Sequence, residues 1–292
     1  MSEGLILGIG EILWDELPSG RMPGGAPYNF AYHAQYCGEP SAIVSRIGAD
    51  AEGEALRAAV RASGVQDQYL QVDGELPTGN AHVTLDDHGS PSYTLTPDVA
   101  WDALAGPIVI DQPVRAICFG TLAQRHPISR HTIRQLVQDH PDALVVYDLN
   151  LRDPCWTPLV IEASLAMSRW LKINRDELTT LCRWLRLPGV SIAEQVTALR
   201  ETYELELICV TSGAEGCYAQ TATENHSVDG VEAVVVDTVG AGDAFTAALV
   251  VSTLRGRLLA HALDIANRYA ARVAGTAGAT PRVPIVDIDG LS

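Results

Sequence analysis

Asp237-Thr238-Val239-Gly240-Ala241-Gly242-Asp243-Ala244-Phe245 sets two glycines and a carboxylate between a β-branched run, Val234 to Val236, and an apolar stretch ending near Gly256. Read as strand, loop and helix in that order, the segment puts Gly240, Ala241, Gly242 and Asp243 at a helix N-terminus. The first N–H groups of a helix have no partner within it and, together with the helix dipole, favour an anion such as phosphate. Gly240 and Gly242 lack the Cβ atoms that would hold a ligand off that backbone. Asp243 adds a group that can accept a proton, although a carboxylate at this place also serves as an ordinary stabilising charge at a helix start. The helix N-terminus should lower its pKa and make it a modest base.

A second polar group lies near the other end of the chain. Asp15 follows an apolar run, and Gly24-Gly25-Ala26-Pro27-Tyr28-Asn29 opens a helical pattern. A glycine pair lets a ligand approach the backbone, while Asp15 and Asn29 supply an acceptor and an amide suited to sugar hydroxyls. A glycine turn with a capping Asn is the alternative.

Further polar residues follow strand-like runs. In Asp148-Leu149-Asn150-Leu151-Arg152 they alternate, so a strand continuing through them would send all three to one face at its C-terminal end, where open α/β sheets bind ligands. Arg152 could equally pair with an acidic neighbour. Asn174 and Glu177 fall at the first turn of a helix, as an N-cap and a capping-box Glu would. Thr211, Gly213 and Gly216 form a strand-end loop that also reads as a tight turn, and Asn267 sits in an Ala-rich helical stretch.

The composition closes off other chemistries. Lys172 is the one lysine in 292 residues, and neither a P-loop nor a protein-kinase lysine pattern surrounds it. Phosphoryl transfer by this chain would therefore rest on backbone amides, arginine and metal. A net charge of −16 disfavours nucleic acid and anionic membranes as partners. Six scattered cysteines include no Cys-x-x-Cys pair, and no His-x-x-x-His pair occurs, which argues against zinc and redox motifs. No apolar run reaches the roughly 18 to 20 residues that span a bilayer, and no basic signal-peptide flank precedes one, so a cytoplasmic location is expected.

The elements that must position these residues alternate. Strands are expected at Leu5 to Gly10, Ala42 to Ile47, Ala116 to Gly120, Leu144 to Asp148, Trp170 to Ile173 and Leu207 to Val210. Helices are expected at Ala26 to Cys37, Glu52 to Ala62, Ser129 to Asp139, Asp176 to Leu185 and Ile192 to Thr202. That order implies an α/β fold, a mostly parallel sheet with helices on both faces. Ala81 to Leu85 and Ser92 to Leu95 alternate apolar and polar around Asp86-Asp87-His88-Gly89, which predicts a hairpin. It is expected to form a small β lid over a substrate cleft, surface decoration being the other reading.

The nonapeptide and the Gly24–Asn29 segment, with Gly10-Glu11 ahead of it, resemble the two signatures of the ribokinase-like (PfkB) carbohydrate kinases. Residues 45–53 resemble that family too, and 98–102, 119–125 and 148–152 look like segments of bacterial fructokinases within it. The resemblance implies one ribokinase-like domain over residues 1–292, with a lid built from approximately 11–24 and 76–98. It implies ATP-dependent phosphorylation of D-fructose to fructose 6-phosphate, with ribose, 2-keto-3-deoxygluconate or a nucleoside as alternative acceptors. Asp243 would then be the base, and the N–H groups of Gly240, Ala241 and Gly242 would hold the phosphoryl charge. Asp15, Gly24, Gly25, Asn29 and Arg152 would bind sugar, with Asp98 and Arg125 as candidates for discrimination. Asn174, Thr211, Gly213, Gly216 and Asn267 would face ATP. Glu177 would hold Mg²⁺ through water, and Asp237 with the Val239 carbonyl matches positions that bind K⁺ in some members. A homodimer could form through the lid. A binding protein that kept the fold without turnover is a rival reading that the retained Asp243 disfavours. A Rossmann dehydrogenase is excluded because no third glycine follows Gly8 and Gly10 at the required spacing.

Overall fold

The computed structural model describes residues 4–17, 20–85 and 91–285. Apolar strands separated by amphipathic helices assemble a nine-stranded sheet. Its core strands are β1 (Leu5–Ile9), β4 (Ser41–Gly48), β5 (Leu70–Asp73), β8 (Val114–Phe119), β9 (Leu144–Asp148), β10 (Trp170–Asn174) and β11 (Leu207–Thr211). The hairpin β12 (Gly216–Gln220) and β13 (Asn225–Asp229) completes one edge. The order is β13-β12-β11-β10-β9-β8-β1-β4-β5, with β12 running against the rest.

Alternation along each strand divides the core between two faces. Leu5, Leu7 and Ile9 of β1 face one layer, built on α3 (Pro127–Asp139), α4 (Pro158–Ala166), α5 (Arg175–Leu185) and α6 (Ile192–Tyr203). Ile6 faces the other, built on α1 (Ala26–Tyr36), α7 (Ala241–Leu254) and α8 (Leu259–Ala274). The helix α2 (Ala51–Ser63) packs Leu56 and Val60 against Ile43 and Ile47 at the β4 end.

After β1 the chain builds toward β4 and β5 on one side and later toward β8 to β11 on the other. The reversal sits between β1 and β8, where open α/β sheets bind ligands beyond the strand C-termini.

A separate four-stranded sheet, β3-β2-β6-β7, stands off the large one. It comprises β2 (Leu13–Leu17), β3 (Gly20–Gly24), β6 (Asn80–Leu85) and β7 (Pro91–Leu95). The expected hairpin is present, pairing Ala81 with Leu95 and His82 with Thr94. Its expected turn, Asp86 to Gly89, lies outside the described residues.

One expected strand is absent. Val234, Val235 and Val236 are 86%, 58% and 60% exposed in an irregular segment. Their β-branched side chains favour extension, but among the described residues no strand pairs with them to complete a ladder. Instead the N–H groups of Val236 and Asp237 donate to the Ala274 carbonyl at the end of α8, at 2.9 and 3.1 Å. No described helix is long and apolar enough to cross a membrane.

Candidate active site

The C-terminal ends of β1, β9, β10 and β11, the start of α7 and the small sheet enclose a cavity of about 840 Å³. That volume is in the range of small-molecule sites. One end is walled by Asp15, Gly25, Asn29 and Arg152. At the other lie Thr211, Gly213, Gly216 and Asn267, with the apolar flank of α8 at Ala270, Ala271 and Ala274. Val239, Gly240, Ala241, Gly242, Asp243 and Asn174 stand between them. Residues from both ends of the sequence thus meet in one chamber.

The helix α7 begins at Gly240, which has φ +77° and no side-chain cap. A Cβ there would overlap the Ala279 carbonyl oxygen and stand 2.6 Å from the Ala279 Cα. The close approach of the two loops therefore requires glycine, and the first turn has no side-chain cap, although the Ala241 N–H donates to the Thr238 carbonyl at 3.3 Å. Gly24 makes room in a different way: a Cβ on it would overlap the Asp15 carboxylate.

Asp243, at the third position of α7, accepts a hydrogen bond from Asn29 Nδ2 at 2.8 Å. Its pKa is raised to about 7, against the expected lowering. Burial is the largest cause and the neighbouring Asp148 adds to it, outweighing Asn29, Lys172 and Arg152, which favour the charged form. Burial likewise lifts Glu11 to about 7 and Asp15 to about 6, with Arg152 opposing in both cases. Among the described residues, Asn29 Oδ1 and Glu11 Oε2 are buried with no hydrogen-bond partner. Such atoms carry a desolvation cost that a polar ligand in this cavity would relieve.

The strand through Asp148 does not continue. Asn150 has φ +41°, which ends β9, yet Asn150 and Arg152 both reach the cavity wall. Asp148 turns to the sheet floor, where Lys172 Nζ lies 3.1 Å from its Oδ1 and Thr246 Oγ1 donates to its Oδ2 at 2.9 Å.

Five expected residues stand behind or beside the wall. Gly24 supports Asp15 as described. Asp98 is exposed, with φ +51°. Arg125 forms a two-point pair with Asp102, through Nε and Nη2 at 2.7 Å each, donates to the Thr96 carbonyl at 2.7 Å and lies over the Trp101 ring. Glu177 completes the capping box, accepting from Asn174 N at 2.9 Å, and also accepts from Leu151 N at 2.8 Å. Asp237 accepts from Val239 N and Gly278 N at 3.0 Å each, joining the two loops around Gly240.

Asn267 lines the cavity and also donates to the Asp229 carbonyl at 2.8 Å, tying α8 to β13. Glu11 and Lys172 line the cavity without having been singled out as site residues. Lys172 is two residues before Asn174 on β10, so strand alternation places both on one side; that signal was available. Lys172 thus adds a side-chain cation to the cavity wall beside the expected arginine and backbone.

A sheet of this order with a polar chamber across its C-terminal edge is the ribokinase-like arrangement of enzymes that phosphorylate sugars. The chain belongs to one family of them, since the pfkB family carbohydrate kinase model matches residues 20–285. It is 29% identical over 315 residues to a probable fructokinase-3 of Arabidopsis thaliana, covering 99% of this chain and 91% of that one. It is 27% identical to a fructokinase of Escherichia coli over 298 residues, covering 94% and 95%. An uncharacterised sugar kinase of Pyrococcus horikoshii, solved in complex with ATP, superposes with a TM-score of 0.78 at 26% identity, covering 93% of each chain.

Proposed function

We propose that this carbohydrate kinase transfers the γ-phosphoryl group of ATP to the primary hydroxyl of D-fructose, giving fructose 6-phosphate and ADP. The observation that carries this reading is the 2.8 Å hydrogen bond from Asn29 to Asp243, which joins the sugar-facing wall to the uncapped helix start. The fructokinase names of two relatives support the choice of sugar.

The hydroxyl oxygen bonds to the γ-phosphorus as the bond from that phosphorus to the β–γ bridging oxygen breaks, and the hydroxyl proton passes to Asp243. A pKa near 7 leaves much of Asp243 ionised at neutral pH while making it a stronger base than an exposed aspartate. N–H groups of Gly240, Ala241, Gly242 and Asp243 stabilise the phosphoryl oxygens, the larger part of catalysis in a loose transition state. Asp15, Asn29 and Arg152 bind the sugar, and the small sheet acts as the lid that keeps water out. Asp98 and Arg125 stand outside the wall, so any effect of Arg125 on sugar choice would be indirect, through Asp102 and the Thr96 carbonyl that it holds. Thr211, Gly213, Gly216 and Asn267 face the nucleotide. A homodimer through the lid and a cytoplasmic setting are consistent with this reading. The discriminating experiment is a sugar panel: kcat/KM for fructose is expected at least ~10-fold above ribose, 2-keto-3-deoxygluconate and adenosine. Ribose or a nucleoside winning would reject fructose and leave the kinase reading intact.

The residues fit a magnesium ion carried by the nucleotide. Among the described residues no cluster of three acidic, His or Cys side chains could hold one directly. Mg²⁺ commonly keeps several waters and takes its remaining ligands from phosphates and one or two carboxylates. Asn174 lines the cavity, and each Glu177 oxygen takes one backbone N–H, retaining a lone pair for a water. When bound, Mg²⁺ neutralises charge on the phosphates. Glu177→Gln should therefore raise the Mg²⁺ concentration for half-maximal rate and lower kcat, whereas an unchanged titration would leave Glu177 a capping role only.

A potassium ion beside Asp237 and the Val239 carbonyl would brace the two loops that this carboxylate already joins. Turnover should be faster in potassium than in choline at matched ionic strength. Equal rates would reject the K⁺ site.

A further inference from the structure

We propose that Lys172 is a catalytic residue whose ε-ammonium donates to the phosphoryl group during its transfer. The proposal rests on the kinase reading above and adds to it a charge that no backbone amide can supply.

Lys172 lies opposite Asp148 in the parallel pairing of β10 with β9, and its Nζ is 3.1 Å from Asp148 Oδ1. Only 12% of its side chain is exposed, yet it lines the cavity beside Gly240, Ala241, Gly242 and Asp243. A Cβ on Gly242 would stand 2.9 Å from Nζ, so the ammonium sits against the backbone of the uncapped first turn. An ordinary side chain at 242 would have to displace it.

The ammonium has more donors than the protein uses. Lysine carries three N–H bonds, and among the described residues Asp148 is the one hydrogen-bond acceptor for Nζ. The other Asp148 oxygen is already met by Thr246 Oγ1 at 2.9 Å. Neutralising Asp148 thus accounts for one donor of three. The remaining donors open on the cavity, where an anion at the start of α7 would meet them. Burial works against the charge, but Asp148, Glu177 and Asp243 together outweigh it and favour the ammonium form. As the bond to the bridging oxygen breaks and the bond to the sugar oxygen forms, negative charge lies on the equatorial phosphoryl oxygens. A fixed cation there stabilises the transition state more than the ground state.

The single lysine permits a direct test. Protein labelled with ¹³C at lysine Cε gives one side-chain cross-peak from Lys172. It should shift on adding the magnesium complex of the non-hydrolysable analogue AMP-PCP, and shift much less with ADP, which has no γ-phosphoryl. Equal shifts with both nucleotides, or none while calorimetry shows both bound, would overturn the proposal.

Kinetics give an independent reading. Lys172→Met should lower kcat at least ~10²-fold and leave the KM values for sugar and ATP within a few-fold. The double variant Lys172→Met/Asp148→Asn, which removes the orphaned carboxylate as well, should stay equally slow. Its recovery toward wild-type kcat would reduce Lys172 to a partner for Asp148 and overturn the proposal. Should Lys172→Met not fold, the resonance of the unaltered enzyme still decides. Failure of wild-type protein to bind either nucleotide would defeat the kinase reading itself, and the proposal with it.

Discussion

Asp243→Asn should lower kcat by at least ~10² while the sugar KM changes little. The amide keeps the size of the side chain and its place in the first turn of α7 but cannot take a proton from a hydroxyl. Asn29 Nδ2 still finds an acceptor in the amide oxygen, so the wall between sugar and helix start is preserved. A pH profile separates loss of a base from loss of geometry. The carboxylate form is the active one, and its pKa is raised to about 7, so kcat/KM of the wild-type enzyme should fall as pH drops through that value. Glu11, also raised to about 7, repels the Asp243 carboxylate, so the two ionise in overlapping steps and the limb is broadened. The residual activity of Asp243→Asn should lose the Asp243 component of this limb. A variant with near wild-type kcat would remove Asp243 from the base role.

Gly240→Ala should be nearly as damaging, for a steric reason. At φ +77° an L-residue is strained by roughly 1 kcal/mol, and the new methyl would meet the Ala279 backbone. That backbone has little freedom to yield, because Ala279 O bonds His33 Nε2 at 3.0 Å and Gly278 N bonds Asp237 at 3.0 Å. The start of α7 must shift instead, and with it the N–H groups that face the phosphoryl. We expect kcat to fall by ~10² or more, with a lower Tm and a folded circular-dichroism spectrum. Wild-type kcat in this variant would mean that the helix start does not hold the reacting group.

Much of this arrangement could be read from residue order. Alternation of Leu5, Leu7 and Ile9 against Ile6, repeated down the chain, announces a sheet buried on both faces, and the glycines of the nonapeptide mark the helix start. What escaped depends on neighbours distant in sequence. Val234 to Val236 have strong strand propensity, but no described strand pairs with them and the N–H groups of Val236 and Asp237 go to the end of α8 instead, so propensity lost to tertiary context. The dipole argument for Asp243 was sound locally and was outweighed by burial and by Asp148, which is 95 positions away in sequence. Arg125 reads as a hydroxyl donor until Asp102 and Trp101 are seen to hold its guanidinium. Glu11 directly follows a glycine at the end of an apolar run, and nothing in that local pattern signals an unpartnered oxygen inside the cavity.

The central claim is that sugar and ATP meet at Asp243, and it is tested most directly by following ATP consumption by the purified protein with Mg²⁺ and K⁺, with and without fructose. The account predicts ADP release that depends on the sugar, with one fructose 6-phosphate formed per ADP and the rate lost in Asp243→Asn. ADP release that is the same with or without sugar, or no turnover with any sugar of the panel, would contradict it.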